Sequence, residues 1–117
     1  MEAGERHIQD YLEAAVVNNS SDLHLAVGKP PLLRIDGQLR PIEGQPVLAA
    51  PDVEKLIGQL IDPEQKKMLD EAREIDFSFA YGDVGRFRVN AFHQRGVLAA
   101  ALRLIPSKIR TIAELGL

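Results

Sequence analysis

Three stretches in the C-terminal half decide the fold: Ile75-Asp76-Phe77-Ser78-Phe79, Arg86-Phe87-Arg88-Val89-Asn90-Ala91-Phe92, and Val97-Leu98-Ala99-Ala100-Ala101-Leu102-Arg103-Leu104-Ile105. In the first, Ile75, Phe77 and Phe79 alternate with Asp76 and Ser78, the period of a half-buried strand. After the turn at Tyr81-Gly82-Asp83 the second alternates again, giving Phe87, Val89 and Ala91 one face and Arg86, Arg88 and Asn90 the other. The pattern predicts paired antiparallel strands. The third stretch is apolar almost throughout, which predicts a strand covered on both faces in the finished assembly; Pro106 ends it.

Towards the N-terminus, Ile8, Tyr11, Leu12, Ala15 and Val16 fall at helical spacing, and Asn18-Asn19-Ser20-Ser21 supplies a stop. Leu23, Leu25 and Val27 alternate with Asp22, His24 and Ala26 as a strand does, until Gly28-Lys29-Pro30-Pro31 breaks the chain. Leu33 and Ile35 begin a second strand, and Asp36-Gly37, which tolerates positive φ at both positions, turns it tightly into Gln38-Leu39-Arg40. Val53, Leu56, Ile57, Leu60 and Ile61 form the apolar stripe of a second helix. Asp62-Pro63-Glu64-Gln65 reads as a cap, a first-turn proline and a glutamine that reaches back to the cap, so a third helix runs to about Arg73. The stripes from Val53 to Ile61 and from Met68 to Ala72 are assigned to the core. Helix, strands, two helices and strands in that order indicate an α+β fold, an antiparallel sheet with helices packed on one face.

The length of 117 residues suits one domain with a single core, and an apolar share of 45% with 26% charged residues is that of a globular protein. With 14 basic and 17 acidic residues the formal charge is −3, so composition supplies no general attraction to nucleic acid or an anionic membrane, and any anion site must be local. No cysteine is present, which excludes a disulfide framework and a thiolate metal site. No apolar run approaches the roughly 20 residues that span a bilayer, and the N-terminus lacks the pattern of a signal peptide; a cytoplasmic location is the expectation.

Chemistry is sparse. Arg86 and Arg88 share a strand face with Asn90, and Arg103 lies on the same face as Val97, Ala99 and Ala101, whose small side chains let another surface approach. Arg95 occupies the intervening turn. Guanidinium groups are permanently charged and grip phosphate oxygens in a fork, so a converging set makes a phosphate clamp; the plainer account is solvated strand positions paired with Asp76, Asp83 or nearby glutamates. His24 beside Asp22 could be a base oriented by a carboxylate, but a hydrogen-bonded strand histidine is the stronger reading, and His7, His24 and His93 have no metal-ligand spacing. Gly28-Lys29-Pro30-Pro31 is a turn and not a phosphate-binding loop, because it lacks G-x-x-x-x-G-K-[ST] and its prolines remove N–H donors.

Ser21-Asp22-Leu23-His24-Leu25, followed by Gly28-Lys29-Pro30-Pro31-Leu32-Leu33-Arg34-Ile35-Asp36-Gly37, resembles the opening signature of the PilT-type retraction ATPases of type IV pili. Glu74 to Phe79, Gly85 to Phe92 and Leu102-Arg103-Leu104-Ile105-Pro106 are similar to that family's later segments, in order, and Thr111 to Leu117 is similar to its linker. The resemblance spans about Ile8 to Leu117. It departs at His93-Gln94-Arg95, where the family has a more Asn-rich turn.

The resemblance implies a PAS-like N-terminal domain over residues 1–106, with residues 107–117 opening a linker to an absent RecA-like ATPase domain. It implies a homo-hexamer, with the RecA-like domain of the same or a neighbouring subunit and the pilus machinery at the inner membrane as partners. ATP and Mg2+ are implied for the longer protein and no cofactor for these residues alone, which would not hydrolyse ATP. Carried onto matching positions, Arg88 and Arg103 would contact the terminal phosphates when the ring closes, with Arg95 a third candidate. Two other readings are a free-standing PAS-like signalling module that binds a ligand or partner, and a small hydrolase using His24 with Asp22.

Overall fold

A computed structural model describes residues 6–107. The expected linker beyond Ser107 lies outside them. The elements run α1 (Ile8–Val17), β1 (Asp22–Leu25), β2 (Leu32–Ile35), β3 (Gln38–Pro41), α2 (Ala50–Gly58), α3 (Pro63–Ala72), β4 (Glu74–Tyr81), β5 (Gly85–Gln94) and β6 (Val97–Pro106). All strands join one antiparallel sheet in the order β3-β2-β1-β6-β5-β4. The N-terminal strand β1 is thereby inserted beside the C-terminal strand β6, and both stand in the middle.

Local chemistry accounts for the elements. Helix α1 buries Ile8, Tyr11, Leu12 and Ala15, and is closed by the Asn18 side chain donating to the Ala14 carbonyl and by Ser20 donating to that of Ala15. The β2–β3 hairpin turns through Asp36 and Gly37 with φ of 51° and 82°, the two positive values a tight primed turn requires. At α3, Asp62 accepts from the Gln65 backbone N–H while the Gln65 side chain accepts from the Asp62 N–H, a complete capping box ahead of Pro63. Gly85, with φ of 153°, lets β5 start against β6, since a Cβ there would run into the Ile105 carbonyl.

Two expectations are corrected. Helix α2 stops at Gly58, so Leu60 and Ile61 pack half-buried from the connecting segment; the backbone must become extended at Asp62, ahead of Pro63. In α3 only Leu69 is buried and Met68 is 53% exposed, because that helix rests on β4 at the margin of the sheet and wets most of its surface.

The core lies between the helices and one sheet face, and takes Leu23, Leu25, Leu33, Ile75, Phe87, Val89, Ala91, Leu98, Ala100 and Leu102 from the strands. All these positions have one parity in their strands, so the helices cover a single face and the other is bare. Strand β6 alternates between buried and partly exposed positions and is covered on one face in this chain.

Candidate functional site

The bare face is built in transverse rows, set by register. One row crosses all six strands as Leu39, Arg34, Asp22, Arg103, Arg88 and Ser78. The row beside it carries His24, Ala101, Asn90 and Asp76. Arg86 stands one row outward, opposite Ile105, and donates to the Ser78 hydroxyl at 2.8 Å. A shallow cavity of about 380 Å³ opens over the first two rows, floored by Ala101 and walled by Arg34, Arg88 and Arg103.

The Asp22 carboxylate organises this cavity. Asp22 is 8% exposed, at the centre of the sheet. Its Oδ1 accepts from Arg103 Nε at 3.3 Å, while Oδ2 accepts from the Ser21 hydroxyl at 2.8 Å and lies 3.7 Å from Arg34 Nε. Arg88 likewise approaches Asp76 through Nε, at 3.5 Å. Arg103 and Arg88 are thus anchored along the stem side of the guanidinium, leaving the outer pair of nitrogens for another acceptor. Their side chains are 68% and 65% exposed, so each ion pair contributes at most about 1 kcal/mol.

Arg88 and Arg103 are also direct cross-strand partners. Like charges set opposite each other on one face repel, and two carboxylates placed to the sides relieve that only in part. An anion bridging the two forks would remove the repulsion and take two charge-assisted hydrogen-bond sets at once. The ion pairing expected of the plainer account is therefore present for Asp76, and coexists with forks that remain open.

Arg95 stands apart. It occupies the β5–β6 turn with φ of 56°, seven residues beyond Arg88, so about 23 Å along the strand by the rise of an extended chain. The structure brings Arg88 and Arg103 together and leaves Arg95 at the far end of the hairpin. Arg34, on β2, is a member of the row that residue types did not single out. Its signal was available: it alternates with Leu33 and Ile35 as Arg88 does with Phe87 and Val89.

His24 is half-buried in the second row, and burial pushes its pKa below the ordinary 6.5; Asp22 opposes that shift and Arg34 adds to it. The Asp22 oxygens are engaged by Arg103, Arg34 and Ser21 and do not orient the imidazole, which takes away the carboxylate a hydrolase would need. Among the described residues no cluster of three His, Asp or Glu could hold a metal ion, and no helix is long and apolar enough to cross a membrane.

An antiparallel sheet helical on one side and arginine-lined on the other defines an α+β domain with one bare sheet face. No protein-family model matches the chain. It is 43% identical over 110 residues to the type IV pilus retraction ATPase PilT of Pseudomonas aeruginosa, covering 94% of this chain and 32% of that protein. The crystal structure of the pilus retraction motor PilT with bound ADP superimposes with a TM-score of 0.79 at 40% identity, over 88% of this chain and 30% of that one. The Legionella pneumophila ATPase DotB gives 0.72 at 25% identity, over 92% and 31%. The chain belongs to the type II/IV secretion ATPase superfamily, as an N-terminal domain of the PilT type. It spans about a third of the length of the relatives it matches.

Proposed function

We propose that this is the PAS-like N-terminal domain of a hexameric motor ATPase that powers retraction of a type IV pilus and so twitching motility. In this reading the P-loop and catalytic carboxylates lie in a RecA-like domain outside these residues, which holds ATP and Mg2+, and the hexamer works in the cytoplasm against the pilus machinery at the inner membrane. Arg88 and Arg103 contribute cations to the nucleotide's terminal phosphates when the two domains close.

The observation that carries the proposal is the directly opposed Arg88–Arg103 pair, its forks turned to the cavity and its stems held by Asp22 and Asp76. Anchoring through Nε fixes where the guanidiniums stand before any ligand arrives, which lowers the cost of ordering them on binding. Phosphate is the fitting acceptor, because its oxygens match the fork and its charge offsets the mutual repulsion. Nucleotide held by the second domain would draw this face towards it. Transfer of the terminal phosphoryl group spreads negative charge over its oxygens, which the forks stabilise. Loss of that group releases the grip, so the domain's position follows nucleotide state and a rigid-body swing becomes the mechanical output.

In the longer protein, Arg88→Ala or Arg103→Ala is expected to lower ATP turnover by at least about tenfold, with the melting temperature of residues 1–117 nearly unchanged. Normal turnover in both variants would sink the assignment, as would a collapse of the domain's stability. Reading frame that continues beyond Leu117 into a P-loop supports the motor; a stop codon or a kinase-type helix there supports the free-standing module instead.

A further inference from the structure

We propose that Arg34 is a third anion-binding residue of the bare face, and that it makes the row selective for a chain of phosphates over a single phosphate group. This rests on the reading of Arg88 and Arg103 as phosphate ligands.

Arg34 shares part of the geometry of those two. It stands in the same transverse row, is turned to the same cavity, and meets a carboxylate through Nε. One of its outer nitrogens donates to the Gly37 carbonyl at 3.0 Å, which ties the side chain to the β2–β3 turn and fixes its direction. Asp22 is one negative charge shared by two arginines, so the Arg34–Asp22–Arg103 group keeps a net positive charge. The carboxylate is sunk at 10% side-chain exposure, while the arginine side chains beside it are 38% and 68% exposed. A ligand resting on the guanidiniums therefore lies above Asp22.

Spacing gives the selectivity. Arg103 and Arg88 are on adjacent strands, close enough for one phosphate group to touch both. Arg34 is two strands from Arg103, about 10 Å across the backbone of the sheet. Although both side chains lean towards Asp22, that carboxylate stands between their Nε atoms, which puts Arg34 on the far side of Arg103 from a phosphate held between Arg88 and Arg103. A linear polyphosphate, as an inorganic chain or as part of a nucleotide, can reach it by continuing along the row.

The test is an NMR titration of the 117-residue chain with inorganic tripolyphosphate and, separately, with orthophosphate. Arg34→Gln is expected to weaken tripolyphosphate binding about tenfold, the low end for an exposed charge-assisted contact, and to leave orthophosphate within twofold. Arg34→Lys, which keeps the charge and loses the fork, should restore part of the tripolyphosphate affinity. Arg40→Gln removes one charge from the same hairpin but sits opposite Leu33, on the helical face, and should change neither anion. Equal weakening of both anions, or equal effects of the Arg34 and Arg40 variants, would mean general field strength and overturn the proposal. Unchanged tripolyphosphate binding in Arg34→Gln overturns it too. If tripolyphosphate produces no response at Arg88 or Arg103 of the wild-type chain, whether it binds elsewhere or not at all, the underlying phosphate reading falls, and the third ligand with it.

Discussion

Phe87 and Arg88 are neighbours in sequence and opposites in every physical respect. Phe87 is fully buried, stacked on Phe79 at 5.7 Å and meeting Tyr81 edge-on at 5.4 Å. Arg88 is on the bare side, facing another cation across the strand gap. One backbone thus carries two faces under different constraints. The covered face is constrained by volume and close packing, so its residues are replaceable only by others of similar shape. The bare face is constrained by charge placement and leaves the fold almost untouched, which frees its arginines for a task.

That contrast can be broken most forcefully at the adjacent pair. Phe87→Ala should cost about 3–5 kcal/mol by urea denaturation, while Arg88→Ala stays within about 0.5 kcal/mol; comparable losses would mean that the arginine face is structural. Gly85→Ala should come next, at about 1–3 kcal/mol, because a Cβ in this backbone conformation meets the Ile105 carbonyl. Asp22→Asn should lie between the two faces at about 1 kcal/mol, since it loosens two ion pairs whose arginines are already half in water. The smallest effect is protonic. His24 has a folded pKa below its ordinary 6.5, so the unfolded chain binds more protons in that range and stability falls as pH drops through 6.5. His24→Gln should flatten this part of the profile between about pH 7 and 5 in a thermal melt; a steeper profile would reverse the sign assigned to burial.

Much of the covered face was legible in the sequence. The alternation from Ile75 to Phe92, the Asp36-Gly37 turn and the Asp62 cap are local patterns, and each sits where its residues require. Met68 was misassigned because a helical stripe shows which residues share a face and not how much of that face the sheet can reach. Strand order was beyond reach for a related reason: period-two alternation fixes faces, but nothing in Asp22-Leu23-His24-Leu25 says that it will pair with β6. The arginine site suffered most from this. Asp22 and Arg103 are 81 residues apart, and Arg34 joins their row only once β1 is placed between β2 and β6. Residue types placed Arg86, Arg88 and Arg103 on consecutive strands of a hairpin, and it was the family resemblance, carried onto matching positions, that singled out Arg88 and Arg103.

The insertion of β1 beside β6 also has a mechanical meaning. Strand β6 is hydrogen-bonded along both edges, to β1 on one side and over ten paired positions to β5 on the other. A tug on Arg103 along its strand loads these rungs together, in shear, whereas a tug on an edge strand would peel them one after another. Arg103 and its cross-strand partner Arg88 stand on the two neighbouring strands with the most paired positions, each bonded along both edges, so in the proposed motor a pull on this pair would meet the sheet where it resists shear most.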